Sequence, residues 1–231
     1  MKKTRVMKVI CFVGACLMAM GAGAAPNTLT AEEKAAGWRL LFDGETTAAW
    51  RGMGRETFPD KGWDVVDGWL RKVPDVRGGD LLSRESFTDF EFEWEWRISK
   101  GGNNGVKYFI IEKRGSIGHE YQMLDDMAGG RGKGSTASFY EVLAPAADKP
   151  MKPAGEINHS RIRVEGNRVE HWLNGRKVLE YELGSPEVLK GVAGSKFKGY
   201  PGFGQKVTGH LLLTDHKDEC WFRNLKVRTL P

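Results

Sequence analysis

Phe90-Glu91-Phe92-Glu93-Trp94-Glu95-Trp96-Arg97-Ile98 alternates without a break between apolar and charged side chains. Successive side chains of a strand point to opposite faces. The stretch therefore reads as a strand with Phe90, Phe92, Trp94, Trp96 and Ile98 against a core, and with Glu93, Glu95 and Arg97 turned away from it. The dominant period of the chain is two, not 3.6.

The same period recurs outward from this strand. Residues 160–182 form a three-stranded meander, SRIRVE, RVEHWL and RKVLEYE, broken at Gly166-Asn167 and Asn174-Gly175. Such pairs between alternating runs mark two-residue hairpins whose turn residues take positive φ. Further strands are expected at WRLLF, GWDVVDGWLRKV, DLLS, GVKYFII, EYQML, HLLLT and CWFRNLKVRTL, with one or two helical turns within 185–197. Many short strands and little helix predict an all-β sandwich of two antiparallel sheets.

Alternation also assigns faces. On GVKYFII, Val106, Tyr108 and Ile110 are expected inward, and Gly105, Lys107 and Phe109 outward. On EYQML, Tyr121 and Met123 face in, and Glu120 and Gln122 face out. If these two strands neighbour the one at 90–98, then Glu95, Arg97, Lys107, Glu120 and Gln122 share one polar face. A solvated face with cross-strand ion pairs presents the same pattern. Of the five histidines, His171 lies on the apolar phase of its strand, with Val169 and Leu173. His216 follows Asp215 where LLLTDHKDE passes from buried to polar, a strand end of the kind that carries reactive groups. No HExxH, GxSxG, P-loop or GxGxxG motif is present, and Gly101–Gly105 leads into a strand, so it reads as a tight turn rather than a phosphate cradle.

Residues 1–24 combine a basic start (Lys2, Lys3, Arg5, Lys8), a short apolar run and Ala22-Gly23-Ala24, the pattern of an export signal. The apolar run is too short to span a bilayer, and no transmembrane segment is expected after cleavage. Acylation at Cys16 would instead make a lipid-anchored protein. Residues 25–36 form a polar lead-in, and 37–231 read as one domain. The whole chain has 35 Lys and Arg against 30 Asp and Glu; without the signal the basic count is 31, a net charge of +1. With no basic run interleaved with aromatics, nucleic acid is not an expected partner. Cys220 is the one cysteine beyond the signal, which excludes a disulfide framework and a Cys-rich zinc site.

Several segments together resemble a known family. GWRLLFDGETTAAWRG, GGNNGVKYF, GHEYQMLDD, VEHWLNGRKVLEYELGSPE and LLTDHKDECWFRNLKVRTL occur in the order found in the 3-keto-disaccharide hydrolase family, over about residues 37–230. Thr214 and Lys217 depart from the residues usual in relatives around the Asp215-His216 pair. The resemblance implies a concanavalin A-like jelly-roll sandwich, an exported chain and an oxidised saccharide as substrate. It implies a site on one sheet face: Glu120, His216, Lys107 and Arg97 for the chemistry, and Glu95, Gln122, His171, Tyr140 and Asp215 for binding.

A ketone at C3 acidifies the C2 proton. A base can then remove that proton and expel the C1 glycosidic oxygen, after which water adds back. Such a site needs a base near C2 and a cation, or a divalent metal as candidate cofactor, at the enolate oxygen. Direct hydrolysis by two carboxylates is the competing chemistry; Glu93 and Glu95 lie about 6.7 Å apart along their strand. A non-catalytic carbohydrate-binding module on the same fold is the alternative function.

Overall fold

The stretch that decides the fold is one unbroken strand. Its five apolar side chains are buried, Glu93, Glu95 and Arg97 are half-buried on the other side, and Glu91 is buried as well. The computed structural model describes residues 25–231. The expected export signal and Cys16 lie outside the described residues. In chain order the strands are β1 (Arg39–Leu40), β2 (Trp50–Gly52), β3 (Trp63–Val66), β4 (Trp69–Lys72), β5 (Leu81–Phe87), β6 (Phe90–Ile98), β7 (Asn103–Ile110), β8 (His119–Leu124), β9 (Asn158–Glu165), β10 (Arg168–Leu173), β11 (Arg176–Glu182), β12 (Gly209–Leu213) and β13 (Cys220–Thr229). Two short helices, α1 (Ala31–Ala35) and α2 (Pro186–Ala193), complete the regular structure together with several 3₁₀ turns.

The strands form two antiparallel sheets, the sandwich expected of a concanavalin A-like jelly roll. One runs β11-β10-β9-β6-β13-β4-β3, with β1 added to β13; the other runs β2-β5-β12-β7-β8. Trp94, Trp96 and Phe222 from the first sheet pack against Tyr108, Tyr121, Leu211 and Leu213 from the second, all fully buried. At roughly 25 cal/mol per Å² of apolar surface removed from water, this aromatic layer is the main stabilising term.

The meander forms as its turns predict. Arg168 pairs with Glu165, and Leu173 with Arg176, across two-residue loops. Asn174 and Gly175 both take positive φ, whereas at the first turn Gly166 does so and Asn167 does not. Ser185 caps α2 by accepting from Val188 N–H, inside the segment expected to be helical. The polar lead-in is docked rather than trailing. Thr30 and Glu33 close a capping box on α1, and Asn27 bonds to Gly68 O at 2.8 Å and receives Asn224 N–H at 2.8 Å.

Two expectations about faces need correction. The first concerns neighbours. β6 pairs with β9 and β13, while β7 pairs with β8 and β12, so consecutive strands lie in opposite sheets. The Gly-rich turn after β6 is a crossover between sheets, not a hairpin. Core faces look toward each other and outer faces look apart, so Glu95 and Arg97 do not share a face with Lys107, Glu120 and Gln122.

The second concerns phase. Phe109 has φ +60°, which interrupts the alternation of β7. Phe109 joins the core beside Tyr108, and Ile110 turns outward onto Leu82 and Leu212. Gly209 permits this kink, because a Cβ there would lie 2.5 Å from the Phe109 carbonyl carbon.

Candidate active site

On the outer face of the five-stranded sheet, Lys107 of β7 lies directly opposite Glu120 of β8. Leu82, Ile110 and Leu212, with Met53 against them, form an apolar floor beside the pair. The ammonium is 4.0 Å from the nearer Glu120 oxygen and donates to Ser116 O at 3.2 Å, so it does not saturate the carboxylate. The Glu120 side chain is 12% exposed. It lies over Gly105, where an added Cβ would sit 2.2 Å from Oε1, so only glycine leaves the carboxyl its place. Gln122 is buried beneath. With its amide nitrogen toward Glu120 Oε1 at 3.3 Å and Asn104 O at 3.0 Å, it has two acceptors in reach.

Burial pushes the Glu120 carboxyl above the usual carboxylate range. Lys107 and Lys196 pull it back, and Asp80 and Glu141 push it further up. A carboxyl in that condition is more basic than an ordinary one when ionised, which favours service as a general base.

The other expected site residues distribute as follows. Tyr140 borders the pair: its backbone N–H donates to Glu120 O at 3.0 Å, and its ring holds the Lys196 ammonium at 4.3 Å. Lys196 in turn lies 3.4 Å from Glu141. His216 lies two residues past Thr214, whose N–H donates to Gly105 O at 3.1 Å, and is half-exposed, with Nδ1 at 3.1 Å from Asp218 Oδ2. That same oxygen accepts the backbone N–H of Asn103, at the start of β7.

Asp215 is a clamp. One oxygen accepts Gly78 N–H and Gly79 N–H, and the other lies 3.1 Å from Lys72 Nζ, off the line of a hydrogen bond and so an ion contact. Lys72 is fully buried and spends its donors on the Val73 and Val76 carbonyls, at 2.6 and 2.8 Å. Through its own N–H, Asp215 also fixes Asp80, which faces Glu120 electrostatically.

Three expected residues lie elsewhere. His171 is buried between the sheets. Its Nδ1 donates to Ala137 O at 3.0 Å, which leaves Nε2 to accept from Tyr108 O–H at 3.1 Å. Burial lowers it to about 4, so it is a neutral core residue. Glu95 and Arg97 sit on the outer face of the eight-stranded sheet, where Glu95 accepts from Arg223 Nε at 2.7 Å. Glu93 shares that face. Burial raises its carboxyl, but His159 and Lys226 outweigh this and hold it at about 2, so Glu93 and Glu95 are not an acid–base pair.

Sequence periodicity missed Asp80, Glu141, Lys196 and the Arg51–Glu112 pair on β2 and the loop after β7. That pair is bidentate, at 2.7 Å for each contact, and Arg51 is the chief cause that lowers Glu112 to about 2. These residues lie in loops or on a three-residue strand, where no period exists to read. Among the described residues, no three His, Cys, Asp or Glu side chains converge as a metal site would require.

An apolar cavity of about 300 Å³ opens elsewhere, between the loop after β7 and residues 200–207. Its titratable side chains are Arg114, His119 and Tyr200, and burial lowers His119 to about 3. It offers no base, so the chemistry is better placed at Glu120.

A two-sheet antiparallel sandwich with a raised carboxyl and a lysine on one outer face defines a class: β-sandwich proteins whose sheet face can carry acid–base chemistry. Residues 37–228 match the family described as the 3-keto-alpha-glucoside-1,2-lyase-like domain, and the chain belongs to that family. It is 33% identical to the 3-keto-disaccharide hydrolase of Bacteroides thetaiotaomicron over an alignment of 230 residues, covering 84% of this chain and 79% of that protein. Among solved structures it is similar to a candidate glycosyl hydrolase of Parabacteroides distasonis, with TM-score 0.80 and 30% identity over 90% of this chain and all of that one. A second candidate glycosyl hydrolase from the same organism aligns with TM-score 0.69 and 25% identity over 84% of this chain and 99% of that one.

Proposed function

We propose that this chain cleaves the glycosidic bond of 3-keto-glycosides by elimination followed by hydration, and that Glu120 is the base. The observation that carries the reading is the raised carboxyl of Glu120, held over Gly105 with Lys107 opposite and no saturating cation. Ionised Glu120 takes the C2 proton. The electron pair moves into the C2–C3 bond, and the C3 carbonyl oxygen becomes an enolate oxygen beside Lys107, with Lys196 adding positive potential. Collapse of the enolate expels the C1 glycosidic oxygen, which takes up the proton held by Glu120 and so restores the carboxylate, and gives a C1–C2 double bond conjugated to the ketone. Water then returns its hydroxyl to C1 and a proton to C2, so the net change is hydrolysis.

A two-carboxylate mechanism has less support, because Glu93 and Glu95 are locked to cations on the other sheet. A non-catalytic binding module would expose flat aromatic platforms. Among the described residues, the exposed large hydrophobics are Met127, Leu189 and Tyr200, of which Tyr200 alone is aromatic. Export follows from residues 1–24, with the mature chain starting near Ala25; mass spectrometry of the native protein checks this, and a lipid-modified Cys16 contradicts it. No helix among the described residues is long and apolar enough to cross a membrane.

The decisive experiment is turnover of a 3-keto-glucoside in D₂O. Elimination and hydration place deuterium at C2 of the released sugar faster than the enzyme-free control. Cleavage without deuterium at C2 rejects the mechanism, and no cleavage rejects the substrate class.

A further inference from the structure

Among the described residues, the outer face of the eight-stranded sheet carries six arginines with acidic partners, Arg168 with Glu170 and Glu180 being one, and one arginine without. Arg71 pairs with Asp64 and Glu219, Arg161 with Glu93, Arg163 with Glu91, Arg223 with Glu95 and Arg228 with Glu91. Arg97 has no carboxylate within ion-pair distance, and none of its guanidinium N–H groups meets a hydrogen-bond acceptor among the described residues. Its Nε is fully buried in that state.

Arg97 is nonetheless held firmly. Its guanidinium carbon lies 4.9 Å from the ring centre of Trp69 and 4.4 Å from that of Trp221, two indoles set edge to face at 88°. Cation–π contact of this kind offsets part of the cost of a desolvated guanidinium, but it supplies no acceptor for the N–H fork. The unmet Nε is costly to bury, and the other N–H groups of the fork, which are not buried, stay free at the cavity for a partner supplied from outside.

A cavity of about 350 Å³ opens at that position. Arg97, Ser99, Lys100, Gly155, Glu219 and Trp221 line it. The one carboxylate in the lining, Glu219, lies 3.8 Å from Arg71, so Arg97 and Lys100 stand uncompensated. A planar fork beside a lysine, walled by an indole and a serine, suits an oxyanion attached to a small ring with both polar and apolar surface.

We propose that this cavity is a second saccharide site, separate from Glu120 and on the opposite sheet, that takes a sugar carrying an oxyanion. Arg97 grips the oxyanion, Lys100 adds charge at the rim, and Trp221 lies against the ring. The oxyanion is a carboxylate in uronic acids and a sulfate ester in sulfated sugars, and the arms of the experiment distinguish the two. The site does not depend on the chemistry proposed at Glu120.

The test titrates the full chain with glucuronate, glucose 6-sulfate, glucose and sodium sulfate, following tryptophan fluorescence and, independently, heat. Saturable binding of glucuronate or glucose 6-sulfate is expected, with glucose at least tenfold weaker. Arg97→Met should weaken the charged sugar about tenfold or more, the scale of one charge-assisted hydrogen bond. Lys100→Ala, an exposed position that leaves folding intact, should weaken it severalfold. Glu120→Gln should leave this binding unchanged, so failure here and failure of the lyase reading are separately visible. Equal binding of glucose and glucuronate overturns the proposal. So does sodium sulfate binding as tightly as either charged sugar, or unchanged affinity in both the Arg97 and Lys100 variants.

Discussion

The two outer faces of this sandwich are built from the same residue types at the same period, yet their carboxylates are in opposite condition. On the eight-stranded sheet, buried Glu91 accepts from Arg163 at 2.7 Å and from Arg228 at 2.6 Å, and Glu93 is held at about 2 by His159 and Lys226 against its burial. On the five-stranded sheet, Glu120 is as well covered, but its lysine stands off at 4.0 Å and its carboxyl is pushed up instead of down. Alternation produces both faces. What separates structure from chemistry is whether each buried carboxylate finds its cation at hydrogen-bond distance.

The sharpest way to break this contrast is to remove charge from each face in turn. Glu120→Gln keeps the size and the acceptor for Gln122 while removing the base. It should lower kcat/KM on a 3-keto-glucoside by about 10²- to 10⁴-fold, the range for losing a positioned proton acceptor. Turnover within a small factor of wild type makes Glu120 a structural residue like its counterparts opposite. The pH profile sharpens the same test. A base with a raised pKa loses activity as pH falls through a value above the ordinary carboxylate range, so the acid limb of kcat/KM should lie above 4.5.

Glu91→Ala should give the reverse result. It leaves Arg163 and Arg228 without their shared buried partner and should cost about 3–5 kcal/mol of stability, with kcat unchanged in the folded fraction. Urea denaturation measures the first and turnover the second. A stability loss under 1 kcal/mol would mean that the ladder of charges on this face is as weak as an ordinary exposed one.

How much of this could be read from the chain follows from what alternation encodes. The strand at 90–98 declared its buried face completely, and Asn174-Gly175 declared its turn. Alternation carries phase, not partnership, so it could not tell that the chain crosses sheets between Ile98 and Asn103. That single crossover separates Arg97 from Lys107. The kink at Phe109 was invisible for a related reason: the room for it comes from Gly209, a residue 100 positions away. His171 sat on the apolar phase of its strand, and the structure confirms that core position over the groove assigned by resemblance. Asp80, Glu141 and Lys196 reach Glu120 from loops, where only tertiary folding brings them together.

Gly105→Ala asks whether the position of Glu120, rather than its presence, matters. The new methyl would fall 2.2 Å from Oε1 and must displace the carboxyl, while the backbone of β7 can stay in its ladder. A displacement on the order of 1 Å at a reacting group costs up to about 100-fold in rate, so kcat should fall by roughly 10- to 100-fold while secondary structure by circular dichroism is unchanged. Full activity in this variant would show that Glu120 moves freely and that its covered position is incidental.

The smallest expected effect is also the most diagnostic, because its sign differs between the faces. Glu93 has a folded pKa of about 2 against an ordinary 4.5, so its ionised form is favoured by folding. Its contribution is full above the unfolded pKa and is lost as pH falls through about 2. Glu120 has a raised folded pKa, so its contribution is full below the unfolded value and is lost as pH rises through the folded one. Glu93→Gln should therefore destabilise the protein at pH 7, with the gap to wild type narrowing as pH drops below about 4.5 and closing only near 2. Glu120→Gln should match wild type near pH 4 and become the more stable of the two as pH rises. Melting temperatures of the three proteins from pH 3.5 to 8 decide the matter. If Glu120→Gln lowers the melting temperature increasingly toward pH 8, its carboxylate is paired like those opposite, and the distinction between the two faces disappears.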